Sequence, residues 1–335
     1  MSMPPETLIW IITGRCNLQC KHCYATAYRE EIEIPQNRKL ELIKEAADIG
    51  VEYIQYTGGE PLLAKNIFEI LQYTKDCGIE SSIFTNLTII NDKIASKLAK
   101  LEVGVYASID GPSKEIYEKI RGLGSWSKAL KGMKSLVLNG IFPHVNITVT
   151  ELNWNHVKET INRALSLGAS SISIIPAMPS SSALKNRVYV SPEHFLKALI
   201  QAKEASEELG IFVSVWCTPF LGAFIDAPNL IYGNCRNWDV MDMTPSGRVV
   251  LCDVLNIEVA NVAEVGIEES YNMLVNHPLY IKVITPKLNP PCNTCSLRWK
   301  CKGGCYARAY LINKRLESPD PLCPIVESYF QRIKF

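Results

Sequence analysis

Through the first half of the chain, short apolar runs rich in β-branched and aromatic residues alternate with amphipathic stretches, and no other feature limits the possible folds as tightly. Strands are predicted over 8–13, 53–56, 81–84, 103–109, 144–149 and 171–175, and helices over 38–49, 66–77, 92–101, 127–139, 156–167 and 192–209. Gly50, Gly78, Gly140, Gly168 and Gly210 stand at helix ends, where a left-handed C-cap is expected. Strands that alternate with helices imply parallel pairing and right-handed crossovers. Six such units, not eight, precede residue 180. The expectation is an α/β fold, a partial (β/α)6 TIM-like barrel rather than a closed one.

Beyond residue 211 the texture changes. Helical periodicity fades and turn signals multiply, as at Pro245-Ser246-Gly247, Pro290-Pro291, Gly303-Gly304 and Pro319-Asp320-Pro321. The expected division is therefore 1–210 and 211–335, the second a small loop-rich domain held by metal. A formal charge of +1 over 335 residues removes the electrostatic case for nucleic acid or an anionic membrane. The apolar run 8–12 is too short for a signal peptide, and no stretch approaches the roughly 18 apolar residues of a membrane span. A soluble, cytoplasmic protein is expected.

The chain carries 12 cysteines. In a reducing compartment, thiols that numerous argue for metal rather than disulfides. Cys16, Cys20 and Cys23 follow the first predicted strand directly, and Cys77, at the end of an amphipathic helix, reads as packing. Cys217, Cys235, Cys252, Cys292, Cys295, Cys301, Cys305 and Cys323 crowd the last third, so two metal-bearing regions are expected. The first set, C-x3-C-x2-C, is one thiolate short of the four that close a structural site. A four-iron cluster held by three thiolates leaves one iron open for chemistry; zinc completed by His22 is the alternative.

The segment from Gly14 to Tyr24, GRCNLQCKHCY, resembles the signature of the radical SAM superfamily, with Tyr24 as the aromatic residue beside the last cysteine. The resemblance implies a [4Fe-4S] cluster on Cys16, Cys20 and Cys23 whose open iron chelates S-adenosyl-L-methionine (SAM). Reductive cleavage of SAM then yields a 5′-deoxyadenosyl radical. Thr57-Gly58-Gly59-Glu60-Pro61 is similar to the family's Gly-Gly-Glu-Pro turn, which implies that Gly58, Gly59 and Glu60 receive the methionyl amino group. A carboxylate suits an ammonium, and glycines let backbone approach closely. Thr85, in Phe84-Thr85-Asn86, and Ser108, in Ala107-Ser108-Ile109-Asp110-Gly111, resemble positions that contact the ribose and the methionyl group. Arg121 resembles an arginine that forks onto the SAM carboxylate, and Val149 and Thr150 are expected beside adenine. The structural alternatives are a helix N-cap for Asp110 and a solvated charge for Arg121.

The last third resembles the SPASM extension found on many radical SAM enzymes: Cys235, Gly247 and Cys252, then Cys292-x2-Cys295-x5-Cys301-x3-Cys305, then Cys323. The resemblance implies two auxiliary iron–sulfur clusters, one on Cys292, Cys295, Cys301 and Cys323, the other on Cys235, Cys252 and Cys305. The second lacks a fourth thiolate; Cys217, well upstream, is one candidate and a non-cysteine group the other. A pair of zinc sites is the alternative, because thiolates alone do not separate zinc from iron–sulfur. Asp253 directly follows Cys252, and in the sulfatase-maturing branch an aspartate there accepts a proton during oxidation. A turn residue is its alternative.

The resemblance spans about residues 7–330 and implies an oxidoreductase, or maturase, that oxidatively modifies a peptide or protein side chain. The same radical chemistry on a tetrapyrrole, or haem-precursor, side chain is the second reading, and a non-enzymatic zinc-ribbon scaffold the third. Expected partners are a peptide, protein or small-molecule substrate and a low-potential donor of the flavodoxin or ferredoxin type. Few residues precede the first strand, so a leader peptide is expected to need a separate binding protein.

Overall fold

The computed structural model describes residues 4–237 and 239–333. Among them, eleven strands form one sheet: β1 (Thr7–Thr13), β2 (Tyr53–Gly58), β3 (Glu80–Thr85), β4 (Gly104–Ser108), β5 (His144–Val149), β6 (Ser171–Pro176), β7 (Val213–Val215), β8 (Leu230–Tyr232), β9 (Val240–Met243), β10 (Arg248–Val250) and β11 (Glu258–Asn261). Its order is β11-β10-β9-β1-β2-β3-β4-β5-β6-β7-β8. Pairing is parallel from β1 through β8 and between β9 and β1, and antiparallel only for β9-β10-β11. This is the α/β partial barrel expected from the strand–helix alternation.

Alternation along each strand decides what faces what. In β5, Val145, Ile147 and Val149 are fully buried, whereas His144, Asn146 and Thr148 on the other face are half-buried. Leu42, Ile43 and Ala46 from helix Gln36–Asp48 and Ile70 and Leu71 from helix Ile67–Asp76 fill the same core as Trp10, Ile54 and Tyr56. Each such Leu or Ile contributes about 1.5–3 kcal/mol relative to exposure. The inner face carries aromatic and polar side chains instead. Phe84 stacks on Tyr106 at 4.6 Å, and His144 lies parallel to Trp216 at 5.7 Å.

Local signals match the predicted elements. All five expected C-cap glycines adopt positive φ, between +63° at Gly210 and +96° at Gly168. Asn91 caps helix Asp92–Lys100 by accepting from Ile94 N at 3.0 Å, and Ser191 caps Pro192–Leu209 through His194 N at 3.3 Å. Helices Lys114–Arg121 and Ser181–Asn186 were not foreseen. The first buries Glu118 and Arg121 beside Tyr117 and Ile120, and at eight residues it is too short to repeat a helical period visibly in sequence.

The region after residue 211 differs from the loop-rich expectation. β7 and β8 continue the parallel sheet beyond β6, and β9 closes onto the opposite edge at β1. It also holds helices Val262–Asn276, Pro278–Ile284, Tyr306–Asn313 and Pro324–Ile333. Three-residue strands such as β7, β8 and β10 show no period, and Gly266 at φ +82° breaks the first of these helices internally. No helix among the described residues is long and apolar enough to cross a membrane.

Candidate active site and cysteine sets

The first cysteine loop leaves the end of β1 and is stacked on the turn that ends β2. Gly59 N donates to Thr13 O and Glu60 N to Arg15 O, both at 2.8 Å. A Cβ on Gly58 would meet Thr13 O at 2.4 Å, one on Gly59 would meet Arg15 O at 2.1 Å, and one on Gly14 would meet Tyr28 O at 2.2 Å. The glycines therefore permit backbone to pack on backbone, which is where the close approach expected at Gly58 and Gly59 occurs. The three thiols lie near enough to act on one another electrostatically. Burial first, then Arg121 and the neighbouring Cys23, Asp110 and Cys16, set the Cys20 thiol at about 12, and burial raises Cys16 and Cys23 as well. Only a strongly cationic centre holds such thiols as thiolates, which suits a metal site. Asn86 Nδ2 at 3.8 Å and Leu18 N at 3.4 Å point at Cys16 Sγ, and Arg121 Nη1 lies 4.0 Å from Cys20 Sγ.

Glu60 is fully buried and accepts from Asn86 N at 2.8 Å, Thr85 Oγ1 at 3.0 Å and Leu62 N at 3.4 Å. Burial outweighs these donors and lifts its carboxyl to about 7. Such a carboxylate is set to receive a cation. Thr85 thus orients Glu60, while Ser108 ends β4 on the inner face, in register with Asn146. Val149 is buried on the core face with Val145 and Ile147, so at this strand end Thr148 is the inward residue.

Arg121 is buried, not a solvated charge, and Asp110 is not a helix N-cap; Ser113 stands at the start of helix Lys114–Arg121. Asp110 Oδ2 accepts from Arg121 Nε at 2.6 Å and Oδ1 from Thr148 N at 2.8 Å. The same carboxylate lies 3.6 Å from His22 Nε2, inside the cysteine loop. Burial lowers the His22 imidazole to about 4, and its buried Nδ1 has no protein partner. An orphaned buried nitrogen beside three convergent thiols fits a bound group.

The remaining cysteines form two sets. Cys292, Cys295, Cys301 and Cys323 all line one pocket. Burial, then the nearby Cys323 and Cys295 thiols, push Cys292 up to about 12; burial, then Cys323, Asp320 and Cys292, do the same for Cys301. Cys305 is the centre of the other set, acting on Cys217, Cys235 and Cys252. Cys77 is half-buried against the core.

Residues 10–164 match the Radical SAM superfamily. That segment is a radical SAM domain. It is 26% identical over 345 residues to an AdoMet-dependent heme synthase of Methanosarcina barkeri, covering 96% of this chain and 97% of that one. A PqqA peptide cyclase of Gluconobacter oxydans is also 26% identical, over 99% of this chain and 93% of its own. The fold matches that of Streptococcus suis SuiB bound to the precursor peptide SuiA, with a TM-score of 0.79 at 19% identity, over 96% of this chain and 76% of SuiB.

Within this radical SAM chain, Asp253 joins the two cysteine regions. The Tyr24 hydroxyl, from the catalytic-loop side, faces the Asp253 carboxylate and Thr57, and Tyr28 donates its hydroxyl to Asp253 O. Cys252 Sγ stands 3.6 Å from Asp253 Oδ1. Asp242, Cys252 and Asp253 bring their ligand atoms within 4.8 Å of one another. Burial raises both carboxyls, and at Asp253 it outweighs the bonds from Tyr24 and Cys252. Asp242 escaped the sequence reading. It sits on β9 opposite Ile9 of β1, and its Oδ1 is buried without a partner. The signal was an aspartate alternating with Val240, Met241 and Met243 in a strand.

Proposed function

We propose that this radical SAM chain oxidatively modifies a side chain of a peptide or protein in the cytoplasm. Residues 1–210 initiate the radical chemistry, and 211–335 carry the auxiliary centres. Cys16, Cys20 and Cys23 hold a [4Fe-4S] cluster, and Cys292, Cys295, Cys301 and Cys323, with Cys235, Cys252 and Cys305, hold two more. These clusters, with SAM, supply reductive radical initiation and a path for electrons when bound. Gly58, Gly59 and Glu60 receive the SAM ammonium and Arg121 its carboxylate. Tyr24, Thr85 and Ser108 complete that region. Asp253 takes the substrate proton released on oxidation.

The observation that carries this reading is the Tyr24–Asp253–Cys252 arrangement, a half-buried carboxyl held between the first cysteine loop and the inner cysteine set. General-base work next to an electron acceptor is what removal of a proton and an electron from a substrate radical requires. The peptide assignment is supported by likeness to PqqA peptide cyclase and to SuiB with its precursor peptide. Likeness to the heme synthase along nearly its full length favours a second reading, a tetrapyrrole side chain.

The test is anaerobic reconstitution, reduction with dithionite or a flavodoxin, and a 5′-deoxyadenosine assay with each substrate class. A peptide that accelerates SAM cleavage and loses hydrogen, read by mass, supports the first reading. A tetrapyrrole that loses carboxylate supports the second. A colourless zinc protein without SAM cleavage overturns both.

A further inference from the structure

The inner cysteine set is one thiolate short by sequence pattern, and the chain brings a fourth to it from an unexpected place. Cys217 lies just after β7, on the opposite side of the first six strands from β9, so the distance in sequence hides the contact. Three observations converge on it. Arg308 and Asp320 bring its carbonyl and the Cys305 backbone to one ion pair, and its thiol lies near enough to the Cys305 and Cys235 thiols to act on them electrostatically. Its backbone stands at φ +54°, a left-handed conformation that a residue with a Cβ adopts at a cost, so the surroundings hold it there. What holds it is a buried bracket. Arg308 Nη2 donates to Cys217 O at 2.9 Å, and Asp320 accepts from Arg308 Nε at 2.7 Å and from Cys305 N at 2.7 Å. Arg308 and Asp320 are 3% and 1% exposed, so the clamp is rigid and dry. One ion pair therefore fixes Cys217 and Cys305 relative to each other. A cysteine that merely packs needs neither the strained backbone nor the bracket.

Resting on the auxiliary-cluster reading above, we propose that Cys217 is the fourth ligand of the inner cluster, which is then bound by Cys217, Cys235, Cys252 and Cys305. Each thiol gives up its proton on ligation. With four thiolates on four irons, that cluster has no free coordination position. It carries electrons and does not bind substrate, which leaves Asp253 as the substrate-facing group at its edge.

The test uses the full chain, reconstituted anaerobically with iron and sulfide, with Cys16, Cys20 and Cys23 changed to Ala so that only the auxiliary iron is seen. This background is expected to hold about eight irons, four per cluster. Adding Cys217→Ala is expected to change the inner cluster's EPR signal and to let added 2-mercaptoethanol shift it, as an open iron allows. Cys217→Ser is expected to keep the iron with a displaced signal, and Cys77→Ala to match the background. Identical iron content and EPR in background and Cys217→Ala, with no response to the added thiol, overturn the assignment of Cys217. A background protein without iron, or holding zinc, overturns the auxiliary-cluster reading itself.

Discussion

The two cysteine regions are built by different means. The first is carried by the ends of parallel strands, and its loop is held by backbone packed on backbone at Gly14, Gly58 and Gly59. The second has short strands, and buried side chains replace the missing ladder. Arg236 donates to Lys302 O at 2.6 Å and Gly304 O at 3.1 Å, Asn234 donates to Cys301 O at 2.8 Å, and Arg308 bridges Cys217 and Asp320. A sheet-borne loop owes its shape to the fold. A loop stitched by Arg, Asn and Asp owes it to a few charged contacts and to whatever metal its thiols bind. The contrast suits the proposed roles, an open position at the first region and closed ligand sets at the second.

The contrast can be broken most severely at the first region. Cys16→Ala is expected to abolish SAM cleavage while about eight of twelve irons remain, measured by 5′-deoxyadenosine yield and iron analysis. Loss of all iron would show that the two regions are not independent. Next, Asp253→Asn is expected to leave SAM cleavage intact and to lower modified product by about 100-fold or more, read by mass spectrometry.

Stability sharpens the comparison. Asp320→Ala leaves the Arg308 charge buried and unpaired, at a cost of about 3–5 kcal/mol. Thermal unfolding should show this as loss of the second region, with auxiliary iron released while the iron of the first set stays. Gly59→Ala forces a Cβ against Arg15 O and is expected to cost about 1–3 kcal/mol, with weaker SAM binding and unchanged auxiliary iron.

The smallest effect concerns pH. The Glu60 carboxyl sits at about 7, above its ordinary value, so the fold favours its neutral form. Its contribution to stability is full below the ordinary carboxylate range and is lost as pH rises through 7. A SAM ammonium needs the ionised form, so SAM affinity should improve as pH rises to 7, by up to about tenfold per unit, and level off above. Calorimetric titration of the wild type and of Glu60→Gln tests this, and a pH-independent wild type would refute it.

Much of this was legible in the chain. β5 and helix Pro192–Leu209 begin and end where the periodicity places them, because alternation and capping act over a few residues. The auxiliary cysteines interleave in sequence, Cys301 and the nearby Cys305 falling in different groups, so spacing alone does not sort them. Helix Lys114–Arg121 was not legible, because eight residues show little more than two turns of period, and the groups that satisfy its buried charges, Asp110 and Trp126 N, lie outside it. Val149 was expected beside the ligand, and it faces the core because strand alternation, not proximity to the strand end, decides its side.

The sequence by itself determined the strand–helix period and the three-cysteine loop with the radical SAM resemblance it carries, since each depends on neighbours a few residues apart. Only the tertiary structure decided that Asp110 braces Arg121 across to His22, that Tyr24 meets Asp253, and that Cys217 meets Cys305. His22 and Asp110, like Cys217 and Cys305, lie 88 residues apart and Tyr24 and Asp253 lie 229 apart, while Asp110 and Arg121, 11 apart, are joined across a turn and a helix. Closing such distances depends on how the sheet curls and which side chains it buries together, and no local pattern records that.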